Sequence, residues 1–319
     1  MKNKEDRILL RHIFFTIFGW TLFIIINLIQ FFVVMPFVWL ISILFDRDRV
    51  LFPYMIKFFC RLFFLLYFVE RINYDKNGLK APKKGEKRIY VINHASQYDV
   101  ILMYLLPGSI KTLFKEKWAR LPLVGWIAKI SKNIILSEDM TAGEVAAIFR
   151  KATSFLEKGI PIVIYPEGTR RFDGKIGPFF HGTFRLAVDS QADIVPVIFD
   201  SWNCIRPGGA WIRDVRPHIR VLNTIKYEDY SHLNFGKLSH LVRTKMVEGL
   251  IDLRDYRRKK EKNYYRKIPK FEEIDNQMRE ELKQLKEYSE KKKIYLKSEM
   301  PENLIKEENI LNNNENERE

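Results

Sequence analysis

The stretch RIYVINHASQYD, residues 88–99, decides the fold of the central part of the chain. It begins as an apolar, β-branched run that predicts a buried strand, and at Asn93 and His94 it changes into polar residues. The next residues, VILMYLL, predict a helix that ends at Pro107. Polar residues directly after a buried strand are typical of sites built at the edge of an α/β sheet.

Four residues separate His94 from Asp99, which falls in the first turn of the predicted helix. One interpretation is a chain that folds back, so that the carboxylate meets the imidazole, fixes its tautomer and makes it a better base. The other is an ordinary strand-end histidine and an acidic residue that favours the start of a helix. This spacing alone is a loose pattern and leaves both interpretations open.

A second apolar run, residues 160–165, ends in the same abrupt way, in PEGTRR at residues 166–171. Pro166 stops strand pairing, and Gly168 permits a sharp turn with exposed backbone N–H groups. Arg170 offers a planar guanidinium suited to a phosphate or carboxylate. The sequence therefore predicts a second set of polar groups at the edge of the sheet.

The two stretches, in this order, resemble sequence blocks of the glycerolipid acyltransferase family, which the lysophosphatidate (PlsC-type) acyltransferases typify. The first block is Asn-His followed by four residues and Asp, here residues 93–99, and another is Phe/Tyr-Pro-Glu-Gly-Thr-Arg, here residues 165–170. A strand with a proline, residues 194–197, matches a further block. The resemblance covers roughly residues 75 to 225 and identifies this part of the chain as similar to that family.

The resemblance implies an O-acyltransferase that moves a fatty acyl group to the free hydroxyl of 1-acyl-sn-glycerol-3-phosphate, giving phosphatidic acid. His94 and Asp99 would be its catalytic residues, and acyl-CoA or acyl carrier protein would supply the acyl group, with no resident cofactor and no metal. Glu167 would also hold the turn. The candidate substrate-binding residues are Lys115, Glu167, Gly168, Thr169, Arg170 and Arg171.

The chain departs from the family pattern in the block associated with the acceptor. Lys115 and Gly125 fit the opening of that block, but Ser137 and Glu138 stand where it ordinarily ends in Arg. A further difference is His181, which stands where the family usually has Lys before Gly. The acceptor therefore stays open between 1-acylglycerol-3-phosphate and another lyso-lipid, such as a lysophospholipid or an amino-acid-containing one.

Short strands alternate with helical patterns through the central part of the chain. This order predicts an α/β fold with a mixed, largely parallel sheet flanked by helices, an N-terminal apolar helical membrane anchor and a C-terminal helical extension. The predicted strands lie near 88–93, 110–114, 133–136, 160–165, 193–199 and 218–224. The predicted helices lie near 98–106, 142–158 and 182–190.

No charged residue occurs between Ile13 and Phe45, a run longer than the ~20 residues that cross a bilayer as a helix. Pro36 divides or kinks this run. A second apolar segment carries Lys57 and Arg61 on one helix face, which predicts an amphipathic helix in the headgroup zone or the second arm of a hairpin. We expect a membrane-bound protein whose catalytic domain lies on the cytoplasmic face, where acyl thioesters occur.

Composition fits this organisation. A net charge of +15 indicates an anionic partner, for which we expect an anionic lipid surface; no nucleic-acid recognition motif accompanies it. The basic residues between Arg254 and Lys270 either attract anionic lipid or form a solvated helix face. A different class of function, a non-catalytic membrane adaptor, would use this region alone. The predicted divisions are membrane-associated helices in 1–72, an acyltransferase domain in 73–232, a basic and amphipathic extension in 233–300 and a disordered tail in 301–319.

Overall fold

Seven strands form one sheet in the order β1-β7-β6-β2-β5-β3-β4, as a computed structural model shows. All neighbouring strands are parallel except β6 and β7. The structure describes residues 4–67, 73–121, 124–205, 209–212, 216–261 and 270–301, so the predicted disordered tail lies almost entirely outside the described residues. The sheet confirms the predicted mixed, largely parallel α/β fold.

The bounds of the elements follow the sequence pattern closely. The strands are β1 Asn73–Asp75, β2 Arg88–Ile92, β3 Lys111–Lys115, β4 Ile134–Leu136, β5 Ile162–Ile164, β6 Asp193–Asp200 and β7 His218–Val221. The α-helices are α1 Lys4–Ile29, α2 Met35–Phe45, α3 Leu51–Leu66, α4 Asp99–Leu102, α5 Glu116–Ala119, α6 Val124–Ile130, α7 Ala142–Glu157, α8 Gly182–Ser190, α9 Tyr227–Tyr230, α10 Phe235–Lys260 and α11 Lys270–Lys291. The short strand β1 was not predicted, because three residues of alternating exposure carry no apolar run.

Strand β2 occupies the middle of the sheet between β6 and β5. Its side chains alternate between two apolar cores: Ile89 and Val91 join the core under α7, α8, α10 and α11, whereas Tyr90 and Ile92 join the core under α3 and α4. Burial on both faces explains why this strand is an unbroken apolar run. The end of β2 is thereby fixed between two parallel neighbours.

The N-terminal apolar run is one continuous helical segment rather than two pieces. Between α1 and α2 the helix widens into a π-helical turn at Gln30–Val34, and Pro36 lies in the first turn of α2. Proline has no N–H to offer the carbonyl one turn earlier, and the π-turn accommodates this without a break. The stretch Ile13–Phe45 is long and apolar enough to cross a membrane by length and composition.

Helix α3 is amphipathic, but Lys57 does not lie in a headgroup zone. Its ammonium is buried and donates to the carbonyl oxygens of Leu106 and Gly108, at 2.6 and 3.0 Å. Burial lowers the pKa of Lys57 to about 8. Arg61, on the same face, is exposed. The amphipathic helix was predicted, but the burial of Lys57 was not, because the backbone carbonyls that accept its hydrogen bonds come from a distant loop.

Helix α1 packs against the α/β domain. The indole Nε1 of Trp20 donates to the carbonyl oxygen of Ala210 at 2.8 Å, and the Thr16 hydroxyl accepts from the backbone N–H of Ile212 at 3.1 Å. The Tyr67 hydroxyl, just after α3, donates to the carbonyl oxygen of Phe15. The apolar helix is thus attached to the domain along its length, while many of its outward side chains are exposed.

The two long C-terminal helices pack against the sheet and against each other. Arg254 and Arg257 on α10 are each about 1% exposed and bind Asp200 at the end of β6, and Arg254 also binds Asp275 on α11. Burial alone would raise the pKa of Asp200, but the two guanidinium groups outweigh it and lower the pKa to about 2. Neither sequence interpretation, lipid attraction or a solvated face, holds for these two arginines.

Candidate active site

Four neighbouring strands deliver their following residues to one edge of the sheet. Strands β3, β5, β2 and β6 lie side by side and run in parallel, so their carboxyl ends meet there. The residues at these ends are Lys115, the 166–171 turn, His94 and Ser201. This edge, outside the carboxyl ends of parallel strands, is where α/β folds bind ligands.

His94 and Asp99 form a hydrogen-bonded pair. The imidazole Nδ1 lies 2.8 Å from Asp99 Oδ2, and the Tyr165 ring packs against the imidazole with centroids 4.4 Å apart. The Asp99 side chain is fully buried, whereas the His94 side chain is 16% exposed. Among the described residues none bonds Nε2, so the second ring nitrogen is available to a ligand. The structure therefore joins the two residues as the first interpretation of the sequence required.

Three further donors hold the Asp99 carboxylate. The backbone N–H groups of Ala95 and Ser96 donate to Oδ2 at 2.7 and 2.8 Å, and the Ser201 hydroxyl donates to Oδ1 at 2.5 Å. The first two arise locally, because the chain turns sharply after β2 and presents its amides to the start of α4. Ser201 comes from the neighbouring strand β6. The carboxylate has no freedom to rotate away from the imidazole.

Glu167 lies beneath the histidine. Its side chain is buried, and its two oxygens accept the backbone N–H groups of His94 at 2.9 Å and Gly177 at 3.0 Å. Burial raises the pKa of Glu167 to about 7, against the opposing effect of these two N–H groups and of Arg171. This geometry agrees with the expectation that Glu167 holds the turn.

The three predicted cationic residues, Arg170, Arg171 and Lys115, differ in whether they already pair with a carboxylate. Arg171 binds Asp173 at 2.5 Å, whereas Arg170 is half-buried with its guanidinium near the rings of Trp118 and Phe172, both about 6 Å away. In the described part of the chain no carboxylate pairs with Arg170 or with the exposed Lys115. These two cations are therefore the ones with capacity for an anionic ligand.

The turn itself needs a glycine. Gly168 has φ +66°, and a Cβ there would lie 2.6 Å from the Phe180 ring. Thr169 next to it is exposed. The Phe180 ring covers Gly168, whose N–H donates to the carbonyl oxygen of Tyr165 at 3.0 Å, so the expected exposed N–H is absent there and only the Thr169 side of the turn is open.

Two functional contacts were missed from the sequence. Ser201 lies two residues after the predicted strand 193–199, so its position near a strand end was the available signal. Asn93 is buried and bonds the backbone of Phe199 through both its amide oxygen and its amide nitrogen, at 2.8 and 3.0 Å. These two bonds tie the end of β2 to β6 and set the direction in which the following histidine leaves the sheet.

Comparison with known proteins gives a consistent result. An acyltransferase family model matches residues 73–200. A chloroplastic 1-acyl-sn-glycerol-3-phosphate acyltransferase of Brassica napus is 28% identical over 176 residues, covering 55% of this chain and 49% of the relative. A 1-acyl-sn-glycerol-3-phosphate acyltransferase of Cocos nucifera is 26% identical, covering 51% of this chain and 52% of the relative. The chain thus spans about half the length of these curated relatives.

A solved structure shares the fold. The crystal structure of the 1-acyl-sn-glycerophosphate (LPA) acyltransferase PlsC from Thermotoga maritima superposes with a TM-score of 0.62 at 22% identity. The match covers 77% of this chain and 97% of that chain. Residues 73–200 therefore match the acyltransferase family, and the chain has the fold of this PlsC enzyme.

Proposed function

We propose that this protein transfers a fatty acyl group from a thioester, acyl-CoA or acyl carrier protein, to the free hydroxyl of 1-acyl-sn-glycerol-3-phosphate, giving phosphatidic acid. The observation that carries the proposal is the His94–Asp99 pair, with Asp99 buried and its oxygens held by three further donors. The similarity to 1-acyl-sn-glycerol-3-phosphate acyltransferases supports the choice of substrate.

The geometry supports direct attack assisted by a base. Nδ1–H of His94 donates to Asp99, which leaves the lone pair on Nε2. Nε2 takes the proton of the acceptor hydroxyl as its oxygen attacks the thioester carbonyl, and Asp99 stabilises the imidazolium that forms. The C–S bond then breaks, and the departing thiolate takes the proton from Nε2. The products are an ester and a free thiol, and no acyl-enzyme intermediate is needed because a thioester is already activated.

The acceptor phosphate would bind at the 166–171 turn. Arg170 offers a guanidinium with no described carboxylate partner. Thr169 adds an exposed hydroxyl, and Lys115 adds positive charge from the end of β3. In this proposal Arg171, already bound to Asp173, contributes only to the local potential, and no resident metal or cofactor takes part.

The apolar helix would place this site at the membrane, where lipid acceptors reside. Its outward side chains are exposed and apolar, among them Phe32, Phe37 and Leu44. Because α1 is bonded to the 209–212 loop of the α/β domain, we propose that the domain lies against the bilayer, on the cytoplasmic face where acyl thioesters are made. Binding to vesicles that persists in high salt would support the apolar anchor over electrostatic attraction alone.

A separate observation favours a second class of acceptor lipid. Strands β3 and β4 pair with Lys115 opposite Leu136, so Ser137 and the exposed Glu138 emerge at the same edge as Lys115. A carboxylate there favours an acceptor headgroup with a positive charge. An amino-acid-containing lyso-lipid or another zwitterionic lysophospholipid is therefore the second candidate.

Thiol release from a long-chain acyl-CoA by the detergent-solubilised protein tests both candidates. The assay is run with lysophosphatidate, with zwitterionic lyso-lipids and with no acceptor, and is repeated with acyl carrier protein as donor. We expect acceptor-dependent release that His94→Ala abolishes and that His232→Ala, at an exposed histidine outside the site, leaves intact. Absence of release with every donor and acceptor would reject the enzyme and favour the membrane adaptor.

A further inference from the structure

Arg243 lies on α10, beyond the residues that the family model matches. Its side chain is only 13% exposed and makes an ion pair with Glu281 on α11. The rest of the guanidinium points toward the sheet: Nη2 donates to the carbonyl oxygen of Ile176 at 3.0 Å, and Nε donates to that of Gly177 at 2.7 Å. One side chain thus clamps two successive carbonyls of the loop that follows the 166–171 turn.

The clamped peptide is the one that supports Glu167. The Ile176 carbonyl and the Gly177 N–H belong to the same planar peptide group, so fixing the oxygen fixes the opposite N–H. That N–H donates to Glu167 Oε2 at 3.0 Å, and Glu167 Oε1 accepts the N–H of His94 at 2.9 Å. Three hydrogen bonds in series therefore run from α10 to the backbone of His94.

We propose that Arg243 is a positioning residue for acyl transfer: it orients the Gly177 peptide, which holds the Glu167 carboxylate against the backbone of His94. Arg243 does not touch substrate. The proposal rests on the proposed function in that it concerns the same base. It gives the C-terminal helices, which lie outside the matched domain, a part in setting the geometry of the active site.

One group in this series of hydrogen bonds, the Glu167 carboxylate, is titratable. A pH profile can therefore distinguish a positioning role of Arg243 from a merely stabilising one. The N–H of Gly177 is one of the two donors that favour the Glu167 carboxylate, while burial raises the pKa of Glu167 to about 7. Loss of the clamp weakens that donor, so the pKa of Glu167 rises further. A protonated Glu167 offers an O–H where an acceptor is needed, and one of the two backbone bonds is lost.

The experiment compares Arg243→Met and Arg243→Lys with Lys286→Met. Lys286 also joins α11 to α10, through Glu248, but its contact is exposed and leads nowhere near Glu167. Each full-length protein is assayed for kcat and KM between pH 5.5 and 9, roughly the range that spans the relevant ionisation. Hydrogen exchange of peptides containing His94 and Gly177 is measured on the same proteins, together with thermal unfolding.

We expect Arg243→Met to lower kcat about tenfold to hundredfold, as small displacements of a catalytic group do, with both KM values changed less than about twofold. The acidic limb of the kcat profile should move up by about one pH unit, and the His94 and Gly177 amides should exchange faster. Arg243→Lys should restore part of each effect, since an ammonium reaches one carbonyl but cannot clamp two. Lys286→Met should show none of them.

A wild-type acidic limb together with wild-type exchange at His94 and Gly177 in Arg243→Met would overturn the proposal, whatever happens to kcat. If that variant does not fold, Arg243→Lys decides by the same two readouts. If the wild-type protein transfers no acyl group and matches His94→Ala, the proposed function has failed. The exchange measurement then still decides whether Arg243 positions His94.

Discussion

The substitution Asp99→Asn separates the charge of the buried carboxylate from its shape. The amide oxygen can take the place of Oδ2 and accept from the His94 Nδ1–H and from the N–H groups of Ala95 and Ser96. The amide nitrogen then faces Ser201, whose hydroxyl accepts instead of donating. All four contacts of this side chain can persist, with the Ser201 contact reversed, so the main change is the loss of one negative charge.

The expected loss of activity follows from that charge. When His94 takes the proton of the acceptor, the imidazolium in the wild-type protein faces a carboxylate at an Nδ1–Oδ2 distance of 2.8 Å. Two unit charges whose centres are ~4 Å apart interact by about 4 kcal/mol at an effective dielectric constant of ~20. At 1.36 kcal/mol for each factor of ten in rate, kcat should fall roughly a thousandfold. The stability of the fold should change little.

The assay is initial-rate thiol release with saturating lysophosphatidate, accompanied by thermal unfolding. Asp189→Asn is the matched control, because Asp189 is an exposed carboxylate that pairs with Arg185 on the same helix. The control should keep its wild-type rate. A fall of less than tenfold in Asp99→Asn, at an unchanged melting temperature, would refute the reasoning that Asp99 stabilises the imidazolium.

Three further outcomes are expected. Arg170→Ala should raise KM for lysophosphatidate at least tenfold, roughly the value of a charge-assisted hydrogen bond, and should leave KM for the thioester unchanged. Initial-rate kinetics with Arg185→Ala as control test this, and an equal rise in both KM values would contradict it. Because the pKa of Glu167 is raised from 4.5 to about 7 on folding, its protonated form stabilises the folded state. This contribution is complete below pH 4.5 and is lost as the pH rises through about 7. Between pH 4.5 and 7, the free energy of unfolding of the wild type, measured in urea, should therefore fall by about 3 kcal/mol relative to that of Glu167→Gln. A difference between the two proteins that does not change with pH would contradict this prediction. Arg254→Met should reduce the free energy of unfolding by about 3–5 kcal/mol, because Asp200 loses one of its two buried cations, and chemical unfolding measures it. A loss below about 1 kcal/mol would show that the network contributes no more than a surface ion pair.

The parts of the site that are local in sequence were predictable. His94 and Asp99 belong to one strand–turn–helix segment, so the pattern of residues placed them near each other, and the resemblance to the acyltransferase blocks then favoured their pairing. The 166–171 turn was predictable for the same reason, since Pro166 and Gly168 mark the end of a strand and the sharp bend after it. Both segments lie where the sequence pattern placed them.

The parts assembled across the sheet were not predictable from one sequence. Ser201, just after β6, reaches Asp99 across 102 residues of sequence, and Glu167 meets the N–H of His94 because β5 lies beside β2. Lys57, Arg254 and Arg257 were expected at the surface, since charged residues almost always lie there. Each is buried where a carbonyl or carboxylate from a remote segment satisfies it, and a pattern of residue types does not contain that information.

The buried arginines bear on where the catalytic unit ends. The predicted division at residue 232 marks a change in sequence character and stays a prediction. A chain cut there would lose the guanidinium groups of Arg254 and Arg257, which hold Asp200 next to the serine that binds Asp99. The physical unit that keeps His94 in place therefore includes α10, although the family resemblance ends before it.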